Sequence, residues 1–155
     1  MWVLALCQHR KELTLLMNPI VQLMLGALKL SNSVKYYPFH MKLFSLLTLI
    51  TEKTGEFLPI SQYILQIFEQ NLNYFNQKPK PLADKQIPET LVSLKIAKKH
   101  IETSEMKDRI LKESLEHLGH YYTANSRSYS FPELVIPASF ILRKFKKNCS
   151  NSKYR

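Results

Sequence analysis

Between residues 36 and 52 the sequence is apolar on almost every side of a helix. Phe39, Met41, Leu43, Phe44, Leu46, Leu47, Leu49 and Ile50 leave only a thin polar strip through His40, Thr48 and Glu52. A helix with that pattern has no face to offer water, so other helices must surround it. Tyr36-Tyr37-Pro38 puts a proline at the start, where its fixed φ fits and its missing N–H costs nothing. Lys53-Thr54-Gly55 closes it, with a cation at the negative pole and a glycine free to turn left-handed.

The remaining segments supply the neighbours. Residues 3–17 read as a helix with no cap at its start, as in a longer element cut short. Asn18-Pro19 is an N-cap followed by a first-turn proline, which predicts a second helix running to about Leu30. Pro59 opens a helix whose stripe is Ile60, Tyr63, Ile64, Ile67, Phe68 and Leu72. Thr103-Ser104-Glu105 caps a long helix that ends at Ala124-Asn125-Ser126. Met106, Ile110, Leu111, Leu115, Leu118, Tyr121 and Tyr122 share one of its faces. Val92, Leu94 and Ile96 alternate as in a strand, but a lone strand has no partner, so residues 91–101 are expected to be short and irregular.

Residues 128–147 carry the last helical signal. Ser130-Phe131-Pro132-Glu133 is a helix start, with a capping serine, a first-turn proline and an acid near the positive pole. Pro137 breaks a regular ladder, which predicts a single turn over residues 133–136 and a main helix from Pro137. Ala138, Ile141, Leu142 and Phe145 then form a stripe, and Arg143, Lys144, Lys146 and Lys147 crowd the last turn. A buried stripe leading into a basic tip is the pattern of a docking element, not a catalytic one.

Glycine is scarce, at 3, against 8 prolines, which favours helices joined by proline-marked turns. The helix-opening prolines at 19, 38 and 59 imply two helices per unit and a period of about 40 residues, that of HEAT or armadillo repeats. The expected fold is all-α, a HEAT/armadillo-like helical repeat or α-solenoid. Helical hairpins would fill residues 1–72, a Pro/Lys-rich linker residues 73–90, a second helical segment residues 91–147, and a basic tail residues 148–155.

The net charge of +10 favours an acidic partner: nucleic acid, an acidic protein or an anionic membrane. No segment approaches the roughly 20 apolar residues that span a bilayer. The apolar run at residues 1–7 is too short for a signal peptide, and the pair Cys7 and Cys149 forms no disulfide framework, so a reducing compartment is expected. Glu113, Glu116, His117 and His120 lie on the polar side of the long helix. Two histidines at i and i+3 suit a shared metal, but a solvated polar face accounts for them as well, and no third ligand has matching spacing. There is no G-x-S-x-G elbow, no glycine-rich phosphate loop and no cysteine in a nucleophile context. No enzyme and no cofactor are expected, and His40 is expected to be a hydrogen-bonding residue at the core edge. The candidate contacts to phosphate or to an acidic partner are Arg143, Lys144, Lys146 and Lys147, with Lys98 and Lys99. Helix-end electrostatics and a solvated tail account for the same cluster without a ligand.

Three segments then stand together: Tyr36-Tyr37-Pro38-Phe39; Gly55-Glu56-Phe57-Leu58-Pro59; and Ser128-Tyr129-Ser130-Phe131-Pro132-Glu133-Leu134-Val135-Ile136-Pro137 with Leu142-Arg143-Lys144-Phe145. In order and approximate spacing they resemble the nucleolar complex protein 2 family, along nearly the whole chain. The Phe-Pro-Glu-Leu element with its following proline and Leu-Arg-x-Phe is the most specific. Lys95-Ile96-Ala97-Lys98-Lys99 is similar to the family's short basic segment, whereas His40 stands where the family tends to carry arginine. The resemblance implies a non-enzymatic, HEAT-like scaffold of the nucleus and nucleolus. It implies work in rRNA processing and in assembly and intranuclear movement of large-ribosomal-subunit precursors, in heterodimers with sister nucleolar complex proteins. The implied partners are those proteins, the pre-ribosomal particle and rRNA, with no membrane and no small-molecule substrate. It implies structural roles for Tyr37, Pro38, Gly55, Phe57, Pro59, Phe131, Pro132, Glu133, Leu134, Pro137, Leu142 and Phe145. Family members are several times longer, so the chain reads as a piece of the C-terminal part of the family domain. The rival expectation is a nuclear helical adaptor that binds acidic proteins such as histone chaperones, in transcription or chromatin regulation.

Overall fold

The computed structural model describes residues 11–31, 33–70, 72–76 and 93–151. Every regular element among them is helical, so the all-α expectation holds for the described residues. They are α1 (Lys11–Leu30), a 3₁₀ turn (Val34–Tyr36), α2 (Tyr37–Thr54), α3 (Ile60–Gln70), α4 (Leu72–Asn76), α5 (Lys98–Ile101), α6 (Ser104–Ala124) and α7 (Phe131–Asn151). The Lys78-Pro79-Lys80-Pro81 linker and the end of the basic tail lie outside the described residues, and so do Cys7 and the start of the first expected helix.

α2 is buried as its pattern demands. Tyr37, Met41, Leu43, Phe44, Leu47 and Ile50 all belong to the core, and Leu47 has no exposed surface. Pro38 lies in the first turn, and Gly55 ends the helix at φ 70°, its N–H donating to the Thr51 carbonyl at 2.9 Å. His40 is buried and its Nε2 meets the Ser31 hydroxyl at 2.9 Å, which satisfies a polar group at the edge of an apolar helix.

The sheath around α2 comes from both ends of the chain. α6 makes the largest contact with α2, and α7 the largest with α3. Two hydrogen bonds match α2 and α6 start to start and end to end. Just before α2 the Lys35 carbonyl accepts from Ile96 N–H at 2.8 Å. Just after α2 the Leu58 carbonyl accepts from the Tyr121 hydroxyl at 2.7 Å, near the end of α6. Tyr121 is completely buried, and burial together with neighbouring Tyr122 pushes its phenol up to about 12. Phe68 on α3 meets Phe145 on α7 edge-on at 5.2 Å between ring centres. The helical hairpin α2–α3 is thus layered on the hairpin α6–α7, first helix on first and second on second.

Two proline expectations are overturned. Pro19 does not open a helix: α1 runs unbroken from Lys11 to Leu30 with Pro19 inside it. Pro137 likewise sits inside α7, which starts at Phe131 instead of near Pro137. The physical reason is the same in both. Met17, Val21, Met24 and Leu28 form one i, i+4, i+7, i+11 stripe across Pro19, and Leu134, Ala138, Ile141 and Phe145 form another across Pro137. A break would take Met17 out of line with the rest of the first stripe and the half-buried Leu134 out of line with the rest of the second. Both prolines are exposed, so the carbonyls they leave unpaired stand on the water side, where a lost hydrogen bond costs least. With Pro19 inside a helix, the period of about 40 residues inferred from prolines falls away. α6 starts at Ser104, well beyond one such period from Tyr37.

Smaller differences follow from packing. Residues 73–76, expected in the linker, continue as α4, because Tyr74 and Phe75 are buried there. The Tyr74 hydroxyl donates to the Ile101 carbonyl and ties α4 to α5. Residues 93–97 are irregular, as expected, and α5 is a single turn. Thr103 caps α6, accepting from Met106 N–H at 3.4 Å. Leu115, placed on the buried face of α6 by spacing, is 47% exposed.

Two substitutions test this arrangement in urea unfolding. Tyr121→Phe leaves the buried Leu58 carbonyl without its donor and is expected to cost about 1–3 kcal/mol; an unchanged midpoint contradicts the tie. Pro137→Ala restores a helical N–H and is expected to stabilise by about 1–3 kcal/mol; a lower midpoint contradicts a continuous α7.

Candidate functional site

The expected cationic cluster forms where α7 leaves the core. Phe145 is held between Phe68 and Phe75, at 5.2 and 5.6 Å between ring centres, which fixes the rotation of the helix. With that face buried, Arg143, Lys144, Lys146 and Lys147 are all exposed. They occupy the half of α7 turned away from Ala138, Ile141 and Phe145. Lys144 also borders a shallow notch with Phe68, Glu69 and Ile141.

Other cations reach the same end of the bundle. α4 packs on the last turns of α7 through Phe75, and its Tyr74 is tied to α5. α5 in turn lies against the 3₁₀ turn that carries Lys35. Lys35 and Lys95 rim an open depression floored by Val34, Ile96, Ala97 and Ile101. Lys98 and Lys99 start α5, so their backbone is at this end, while their side chains lie outside the described residues. Lys107 of α6 is buried, its ammonium 5.0 Å from the centre of the Tyr74 ring. Burial lowers its pKa and the Glu102 carboxylate opposes that shift. Lys35 and Lys95 were not among the candidate contacts expected from sequence; Lys95 stands in the short basic segment with Lys98 and Lys99, while no local signal marks Lys35. The Ile96–Lys35 backbone hydrogen bond, 61 positions apart in sequence, and the packing of α5 on the 3₁₀ turn bring them together.

The residues singled out by resemblance take structural places. Tyr37 and Pro38 are buried at the start of α2, Gly55 makes the left-handed turn, and Pro59 leads directly into α3. Phe57 is half exposed. Phe131 sets its ring edge-on to Tyr122 at 6.2 Å, and the Tyr122 hydroxyl donates to the Leu134 carbonyl at 3.3 Å. Pro132, Glu133 and Pro137 face water, whereas Leu142 and Phe145 pack on the core.

The histidine pair of α6 diverges. His117 is half-buried with its ring 6.2 Å from that of Phe44, while His120 is exposed. Sequence spacing put both on the solvated side; the parallel packing of α2 captures His117. Burial lowers its pKa most, His120 adds to this, and Glu116 opposes it. His40 is also held low by burial, against its contact with Ser31. Among the described residues no three His, Cys, Asp or Glu side chains converge on a metal position.

Both buried imidazoles gain a proton more readily in the unfolded chain. Stability is therefore fully present above about pH 6.5 and falls as pH drops below that value. Thermal melts at pH 7.5 and 5.5 are expected to show a lower midpoint at 5.5, with a smaller drop in His117→Leu. An equal drop in that variant contradicts the assignment of His117.

Known proteins match this chain along its length. The Noc2p family profile matches residues 1–155. An uncharacterised NOC2 family protein of Schizosaccharomyces pombe is 30% identical over 92% of this chain and 20% of its own. Nucleolar complex protein 2 of Drosophila melanogaster is 23% identical over 94% of this chain and 19% of its own. Nucleolar complex-associated protein 2 of Arabidopsis thaliana is 24% identical over the whole chain and 20% of its own. The chain thus spans about one fifth of the length of these relatives. The nucleolar location expected from sequence is the one that the fly and plant names carry. No helix among the described residues is long and apolar enough to cross a membrane. The family match over residues 1–155 establishes that this chain belongs to the Noc2p family.

Proposed function

We propose that the chain is a non-enzymatic helical scaffold within a nucleolar protein of ribosome biogenesis. It acts in assembly, rRNA processing and intranuclear transport of large-ribosomal-subunit precursors. Its layered hairpins form part of a HEAT-like solenoid, its outer faces meet sister nucleolar complex proteins in heterodimers, and its basic end contacts pre-rRNA phosphates. The observation that carries this reading is the gathering of Lys35, Lys95, α5 and the last turns of α7 at one end of the bundle. Cations around an open, shallow surface bind a polyanion by charge, without base readout. The stacking of α6 on α2 and of α7 on α3 supports the solenoid, since repeat proteins bury their faces only against neighbours.

The names of the fly and plant relatives supply the compartment and the word complex. The sister proteins, the precursor particle and the transport step come from the family resemblance. The start of α5 at Lys98 and Lys99 supports counting these two cations with the proposed surface.

Binding of the purified chain to a transcribed large-subunit rRNA fragment, measured across salt concentrations, tests the reading. A polyglutamate peptide serves as comparator. The expected slope of log K against log salt is steep, and Arg143→Glu with Lys144→Glu lowers it by at least about 1.4, the release expected for two phosphate contacts. An unchanged slope removes α7 from the surface. Equal affinity for polyglutamate favours the acidic-protein adaptor instead.

A further inference from the structure

α7 carries a second stripe that the core does not use. Ile136, Phe140, Arg143 and Lys147 follow one another at i, i+4, i+7 and i+11, on the side opposite Ala138, Ile141 and Phe145. Ile136 is 54% exposed and Phe140 66% exposed. Single exposed apolar residues are ordinary on a protein surface. Here two large ones stand a turn apart on one ridge, and the ridge continues into cations. Glu133 is the last acidic residue of the sequence, so from Leu134 onward the helix is apolar and then only basic. Along the axis Ile136 and Phe140 lie about 6 Å apart, and Arg143 follows about 4.5 Å further on.

We propose that this ridge is the docking surface for an acidic amphipathic helix of a partner protein. The occupant sets two apolar side chains against Ile136 and Phe140 and carboxylates against Arg143 and Lys147, the cations of the same ridge. Charge complementarity identifies it, because a purely apolar partner helix would bury these cations without offering them a carboxylate. An anchor of apolar residues at helical spacing, extended by charges, is the helix-on-surface mode of recognition. Nucleic acid fits the cations but not Ile136, which has no ring to stack on a base, and one exposed aromatic is not a stacking platform. The proposal names the chemistry of the protein partner in the scaffold reading and rests on that reading.

The test uses the full chain and a designed fluorescent 18-residue peptide with leucines at i, i+4 and i+7 followed by a glutamate-rich turn. The comparators are the same composition scrambled so that the leucines share no face, polyglutamate, anionic phospholipid vesicles and the rRNA fragment. The patterned peptide is expected to bind at least tenfold more tightly than the scrambled one or polyglutamate. Ile136→Ser with Phe140→Ser, both at exposed positions, is expected to weaken it at least tenfold while leaving the salt slope for RNA unchanged. Circular dichroism and the melting midpoint confirm that this variant is folded. Equal binding of the patterned and scrambled peptides overturns the proposal. So does a double-serine variant that binds as tightly as the parent, or capture by vesicles but not by the peptide. If the RNA slope collapses in the double-serine variant, the ridge belongs to nucleic acid and the proposal falls. If RNA does not bind while the peptide does, the RNA part of the functional reading fails and the docking ridge stands.

Discussion

A helix with no polar face cannot be a surface helix, and α2 imposes that constraint on the whole chain. Phe44, Leu47 and Ile50 leave essentially nothing to solvent. Fully burying a side chain of this kind is worth about 1.5–3 kcal/mol, so leaving one flank of α2 open would forfeit several such terms. Neighbours close in sequence do not suffice. α1 and α3 cover part of α2, and the rest is covered by α6, which follows only after a long intervening segment. The parallel run of α6 along α2 then places α7 on α3. From that follow the burial of Phe145, the rotation of α7 and the outward direction of its cations.

The polar ties make the layering specific. Apolar burial has no preferred register, but a buried hydroxyl must find an acceptor. Tyr121 reaches the carbonyl of Leu58 across 63 positions, and Tyr74 reaches that of Ile101. The first pins the end of α2 to α6, the second ties α4 to α5, and the Ile96–Lys35 backbone bond adds a third restraint just before α2. The same ties carry charge to one end, since they draw Lys35, Lys95 and α5 to the side where α7 finishes.

Much of this was legible in the sequence, and the failures have a common cause. The buried α2, the caps at Thr103 and Gly55 and the stripe of α3 from Ile60 to Phe68 follow from local pattern and local backbone chemistry, and the structure keeps them; Leu72, expected to extend that stripe, falls in α4. Pro19 and Pro137 misled because the proline rule concerns one hydrogen bond, whereas the stripes that cross both prolines concern four side chains each. On the water side the lost bond is cheap and the stripe prevails. The stripes were present in the sequence all along. His117 and Leu115 were misplaced for a different reason: which flank of α6 is covered depends on its angle to α2, and no spacing within α6 encodes that. The cationic end was half visible: Arg143 to Lys147 and Lys95 to Lys99 stood out as two basic segments, while Lys35 and the meeting of the two segments came only through folding. Ile136 and Phe140 were readable as residues off the stripe once the helix was taken to start at Phe131.

The account stands on contact between the early and late helical hairpins, and a double-mutant cycle on Phe68 and Phe145 tests it most directly. With Phe68→Leu, Phe145→Leu and the double variant measured by urea unfolding, edge-to-face packing across the layers predicts a coupling of about 0.5–1.5 kcal/mol. Strictly additive losses would mean that the two hairpins do not meet there, and the layered arrangement would be wrong.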